Sequence, residues 1–174
     1  MNTFDVQETF VRFAAENLSE HLGRIRRCAT LLSDAQVWYR PNENSNSIGN
    51  LMLHLRGNIT QWIVSNLGGR AFNRDRPAEF AQREIIAKDV LIRQLEEAVA
   101  ATCDVIRSGH DKLGQRYKIQ AYDVTGLEAI FHIVEHFAYH TGQIITTTKW
   151  LLDVDLSLYD DQGRRKDGKR TGAP

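Results

Sequence analysis

Net charge is the first thing this sequence lacks. Lys and Arg total 22 and Asp and Glu total 22, so the formal charge at neutral pH is zero. A neutral chain has no general attraction for nucleic acid or for an anionic membrane, and neither is expected as a partner. Long apolar runs are also missing: no stretch approaches the roughly 20 residues a membrane-spanning helix needs. The opening "MNTFDVQETFVRF" lacks the basic start and apolar core of a secretory signal. Cysteine is scarce, and Cys28 and Cys103 are too few and too far apart for a CxxC pair or a disulfide framework. Both fall at apolar positions of helix-like segments, where a free thiol packs as a small hydrophobe. A reducing, cytoplasmic location is therefore expected. There is no strand-like alternation of any length and no internal repeat. The basic run "GRRKDGKR" reads as part of a short solvated tail over residues 156–174.

What the chain does have is helical periodicity. Over residues 4–33, Phe10, Phe13, Ala14, Leu18, Leu22, Ile25, Ala29 and Leu32 recur at three- and four-residue steps and predict one buried face. A loop rich in Asn, Ser and Asp follows, with Ser45, Asn46 and Ser47 as candidate N-caps for the next helix. That helix, "IGNLMLHLRGNITQWIVSNL", has Leu51, Met52, Leu55, Ile59, Trp62 and Ile63 as its apolar stripe and stops at Gly68 and Gly69. After the polar connection "RAFNRDRPAEFAQRE", a third helix is predicted over residues 84–107. The crossing "SGHDKLGQRYKIQAYDVTG" leaves room for a short extended stretch. The last helix is predicted over residues 125–152, with Thr125 and Glu128 at capping-box spacing. Four amphipathic helices joined by long connections predict an all-α four-helix bundle over residues 1–155.

Three of the six histidines lie at four-residue intervals in "FHIVEHFAYHTGQI": His132, His136 and His140. Residues four apart lie one turn apart on one helix face, the geometry used by helical zinc ligands. Spacing alone does not separate the 132/136 pair from 136/140. Gln143 extends the polar strip beside Ile133, Phe137 and Ile144. The second helix carries a matching strip, Asn50, His54, Asn58 and Gln61, beside Leu51, Leu55 and Trp62. Buried polar groups are costly unless satisfied, so such strips usually serve a site. If the second and fourth helices pack together, His54 faces the histidines of the fourth. Three imidazoles with coordination positions left open suit a catalytic divalent metal better than a closed structural one. Glu128 and Glu135 are the nearest carboxylates in sequence, and Glu135 is expected to point away from the histidines. Trp38, Tyr39 and Arg40, ahead of the second helix, are expected to pack rather than line the site.

"HFAYHTGQI" resembles the His-x-x-x-His-x-Gly-Gln-Ile signature of the DinB/YfiT-like family of metal-binding four-helix bundles. "NSNSIGNLMLHLRGNITQWI" is similar to the second-helix motif of a DinB-like subgroup, including its His-x-x-Gly-Asn run. The resemblance covers roughly residues 5–155. It implies His54, His136 and His140 as metal ligands and leaves His132 as an additional histidine. Asn50, Asn58, Gln61, His132 and Gln143 then become candidates for supporting the ligands or contacting substrate. Gly142 is expected to permit a close helix approach. Thr141 stands where the family more often has Arg, which alters the local charge. The resemblance further implies zinc or nickel, a homodimer, and for some relatives transferases or isomerases that use low-molecular-weight thiols.

Two classes of function follow. The first is a metal-dependent enzyme acting on a small molecule, by thiol transfer or by hydrolysis. Asn58, Gln61 and Gln143 accept no proton at neutral pH, so the sequence offers no clear general base, and this favours thiol transfer. The second is a non-catalytic, stress-linked dimeric module in which the metal braces the bundle.

Overall fold

Each helix of the bundle begins where a side chain can answer its free N–H groups. In the computed structural model, which describes residues 5–166, Asp5 accepts from the N–H groups of Gln7 and Glu8 and opens α1, Val6–Leu31. Ser33 and Gln36 form a capping box at α2, Asp34–Val37, a single turn inside the segment read as a loop. Of the three candidate caps before α3, Ile48–Ile59, the structure uses Ser47, whose box partner is Asn50. α4, Arg76–Ala81, starts at Asp75 with Pro77 in its first turn. α5, Lys88–Arg107, borrows its cap: Asp34 of α2 accepts from the Lys88 N–H at 2.8 Å. It therefore begins at 88 rather than at the expected 84. Thr125 and Glu128 make the expected capping box on α6, Gly126–Leu152.

The extended stretch allowed for in the last crossing is a hairpin, β1 (Arg116–Ile119) paired antiparallel with β2 (Tyr122–Thr125). Its turn needs a left-handed residue, and Gln120 supplies it at φ 56°. α3 does not end as an ordinary α-helix. It runs on as a π-helical segment, Thr60–Leu67, closed by a Gly68 N–H bond to the Ile63 carbonyl at 2.8 Å. The wider turn keeps Trp62, Ile63, Val64 and Leu67 buried while advancing the helix phase.

α1 packs against α5 and α6, and α3 packs against α4, α5 and α6. Leu18, Ile25, Leu55, Ile59, Leu95, Ile106, Phe137 and Ile144 are shut off from solvent at the centre. Each such side chain is worth about 1.5–3 kcal/mol of transfer free energy. Phe13 corrects the expected face of α1: it is 42% exposed, because it lies about 200° around the helix from buried Val11. Beyond α6 the chain folds back instead of trailing away at 156. Leu156 is buried, Arg24 stacks over Tyr159, and Arg165 pairs with Glu20 of α1. The packed unit thus runs past the boundary expected at 155. The rest of the expected tail, residues 167–174, lies outside the described residues, as do residues 1–4. Among the described residues, no helix is long and apolar enough to cross a membrane.

Candidate metal centre

His54 sits on α3 two turns after its cap, and His136 and His140 sit one turn apart on α6. Packing of α3 against α6 brings the three together, with one ring nitrogen of each within 4.8 Å of the others. His54 Nε2 and His136 Nε2 are 2.8 Å apart. The three rings stand nearly perpendicular to one another, edge-to-face, with interplanar angles of 72°, 84° and 87°. His132 is not part of the group. It is held between Trp62, 4.1 Å away, and His136, on which it stacks at 5.5 Å. This geometry separates the 136/140 pair from 132/136, which spacing alone could not do.

The outer nitrogen of two of the imidazoles is committed. His140 Nδ1 lies 2.7 Å from Gln143 Oε1; an amide oxygen only accepts, so Nδ1 donates and Nε2 is left bare. His54 Nδ1 lies 3.1 Å from the Glu79 carboxylate. Glu79 is gripped by Arg74, Nε to Oε1 at 2.7 Å and Nη2 to Oε2 at 2.8 Å, and both side chains are nearly buried. Arg74 Nη1 reaches Gln61 Oε1 at 3.1 Å, and Gln120 at the hairpin turn donates to the same oxygen. Phe80 packs on the His54 ring at 4.6 Å.

Burial lowers the His136 pKa to about 3, with the neighbouring imidazoles and Arg74 acting in the same direction. Burial also lowers those of His140, against the opposing hydrogen bond to Gln143, and of His132. These rings are neutral at physiological pH, the form that ligates a metal. Burial opposes ionisation of Glu79, but the hydrogen bonds from Arg74 and His54 outweigh it and hold its pKa below the ordinary carboxylate value. No carboxylate or thiol among the described residues joins the three histidines. Cys28 and Cys103 are buried and free, and burial raises both thiol pKa values. The donor set fits a divalent metal with three protein ligands and open positions. Zinc and nickel both accept imidazole.

A family model described as a protein of unknown function (DUF1572) matches residues 5–159. The chain belongs to the DUF1572 family. No curated protein matches it. Among solved structures, a conserved protein from Enterococcus faecalis aligns with a TM-score of 0.71 at 16% identity, covering 87% of this chain and 100% of its own. A DinB-like protein from Bacillus subtilis aligns at 0.60 and 19% identity, and one from Bacillus cereus at 0.63 and 11%. Each of these two covers 79% of this chain and 90% of its own. The DUF1572 chain therefore has the DinB-like fold.

The remaining candidates of this DUF1572 chain divide by what they touch. Gln143 and Gln61 serve the cluster, through His140 and through Arg74. Asn50 does not reach the histidines: its oxygen completes the α3 cap and its amide donates to the carbonyls of Glu79 and Gln82. It seats the α4 segment. Asn58 is buried and its Oδ1 has no hydrogen-bond partner among the described residues, as is the case for Trp62 Nε1 one turn on, beside His132. Trp38 packs as expected, under Gly49 and against the Ile86 carbonyl, while Tyr39 lies against Trp150. Glu135 is exposed.

Two expectations need correction. Gly142 admits no close helix, because a Cβ there would meet nothing within 4 Å. The glycine that does is Gly57 on α3, where a Cβ would sit 1.9 Å from Glu79 Oε1. The second concerns the carboxylate at the cluster: Glu128, one of the two nearest in sequence, caps α6 instead, and Glu135 points to solvent as expected. Glu79 takes that place, and with Arg74 it comes from the stretch read only as a polar connection. The signal that could have found them was Gly57 itself, a mid-helix glycine costing about 1 kcal/mol on a buried face.

Proposed function

We propose that this protein is a divalent-metal-dependent enzyme acting on a small molecule, with transfer of a low-molecular-weight thiol to an electrophile as the favoured reaction and hydrolysis as the second. The observation that carries this is the convergence of three histidines on one point with no fourth protein donor among the described residues. A structural site would be closed by a fourth ligand. His54, His136 and His140 hold the ion, zinc or nickel. When bound, such an ion lowers the pKa of a thiol or water and yields a nucleophile near neutral pH.

The chain's own residues supply the rest. Gln143 and Glu79 aim two of the imidazoles from their outer nitrogens. A cleft of about 640 Å³, lined by Leu51, Tyr139 and Gln143 and by the polar groups of Asn44, Asn46, Thr146 and Thr147, adjoins the cluster through Gln143 and Tyr139, which both touch His140. Thr141 and Thr148 return their hydroxyls to carbonyls one turn earlier. Among the described residues Thr146 and Thr147 make no such bond, and both line the cleft, where their hydroxyls can meet a substrate. Glu79 is committed on the outer side of His54 and does not serve as a free base. A thiol ionises near pH ~8.5 and water near ~15.7, so the reaction with the smaller need for a base is thiol transfer. The exposed α6 aromatics Phe131, Tyr139 and Trp150 support a homodimer, and two free thiols support a cytoplasmic setting.

Untagged protein incubated with a small thiol and an aryl halide should show turnover that a chelator removes and zinc or nickel restores. His54→Ala should be inactive. Full turnover after complete metal removal would overturn the proposal.

A further inference from the structure

The geometry points to the Arg74–Glu79 pair as the positioning device of the histidine cluster: Glu79 fixes His54 in the tautomer that leaves Nε2 bare, and Arg74 fixes Glu79 where it can do so. The inference rests on the metal-site reading above and assigns to it two residues from a segment with no other evident purpose. α4 buries no residue fully, and its inward apolar side chain, Phe80, packs on the His54 ring itself, so the segment's contacts with α3 centre on that histidine.

The proton count around His54 Nδ1 decides the tautomer. Arg74 Nη2 is 3.1 Å from Nδ1 and so competes with Glu79 for it. Nη2 has two protons, however. One goes to Glu79 Oε2 at 2.8 Å, and the other has the His54 carbonyl within reach at 3.4 Å as an alternative to Nδ1. A bare Nδ1, by contrast, would set its lone pair against the carboxylate oxygen of Glu79. Glu79 Oε2, an acceptor 3.1 Å away, requires Nδ1 to donate. His54 Nε2 is then an acceptor facing His136.

The surrounding structure is shaped to keep the pair there. Gly57 clears the space: a Cβ at that position would fall 1.9 Å from Glu79 Oε1 and 2.9 Å from Arg74 Nε. Asn50 holds the Glu79 backbone by its carbonyl at 2.9 Å. Gln61 and Gln120 tie the far side of Arg74 to the π-helical segment and the hairpin turn. A carboxylate behind a ligating histidine fixes ring orientation and raises ligand basicity, and its loss commonly costs 10- to 100-fold in metal affinity.

The test uses full-length, untagged protein. The side-chain nitrogen chemical shifts of His54, recorded without metal, report its tautomer. Zinc affinity is measured by competition with a chromophoric chelator. Wild type should carry the His54 proton on Nδ1. In Glu79→Gln that preference should be lost and zinc affinity should fall about 10- to 100-fold. Because Glu79→Gln leaves Arg74 buried beside a neutral amide and could unfold, Gly57→Ala is the second variant. It keeps both charges and displaces the pair by bulk, and it should weaken zinc binding to a similar degree. An Nε2-protonated His54 in wild type, or zinc affinity in the folded variants within about twofold of wild type, overturns the inference. A wild type that shows the Nδ1–H tautomer yet binds no zinc upholds the positioning role and removes the metal reading instead.

Discussion

Gly142→Ala should make this protein more stable, and the size of the effect follows from the structure. Gly142 lies within α6, ten residues from its end, is exposed, and has a backbone angle that any residue adopts. A methyl group there meets nothing within 4 Å, so it adds no clash and buries little. What remains is helix propensity: glycine in a helix interior is about 1 kcal/mol worse than alanine, largely because its unfolded chain has more freedom to lose. For a chain of this size, 1 kcal/mol corresponds to a rise of about 2–4 °C in Tm. Thermal unfolding followed by circular dichroism, with and without saturating zinc, reads this directly. Zinc affinity should be unchanged, since Gly142 touches no histidine. A fall in Tm would refute the reasoning, because it would mean that the Gly142 surface is packed against something, a second copy of the chain first among the candidates.

Other expectations follow from the same structure. His136 has a folded-state pKa depressed by burial to about 3 from an ordinary 6.5. Below pH 6.5 the unfolded chain then binds the proton more readily, so stability should be full above that value and decline as pH falls toward 3. Urea midpoints of metal-free protein at successive pH values check this, and His136→Asn should flatten the decline. Cys28 and Cys103 are buried with raised thiol pKa values, so a thiol-specific reagent should label neither in the native protein and both in denaturant. If the metal were only a brace, chelation would lower Tm sharply while zinc-loaded protein bound no added thiol. The proposed reading predicts that thiols perturb the visible spectrum of cobalt-substituted protein.

The four long helices, and the cap of the last, were legible because their causes are local, whereas α2, α4 and the cap that α5 takes from Asp34 were not. Thr125 and Glu128 are three residues apart and find each other without tertiary structure, and the α6 histidines are one turn apart by helix geometry alone. His54 could be placed opposite them only through an assumed packing of two helices and a family resemblance. Glu79 and Arg74 were out of reach for a physical reason: they approach His54 across an irregular stretch, and their position is set by α3 rather than by their own sequence. Phe13 misled because three-residue steps drift around a helix, which only the neighbouring burial of Val11 resolves. The π-helical turn was hidden because Trp62 and Ile63 stay buried in either helix form. Of the glycines on the site helices, sequence singled out Gly142, within the recognised motif, whereas Gly57 bears the close contact with Glu79.

The most direct test of the account is the metal content of protein purified without a polyhistidine tag, measured by elemental analysis for wild type and His136→Ala side by side. The account predicts close to one divalent ion per wild-type chain, zinc or nickel, and almost none in the variant. Equal metal content in the two would contradict it.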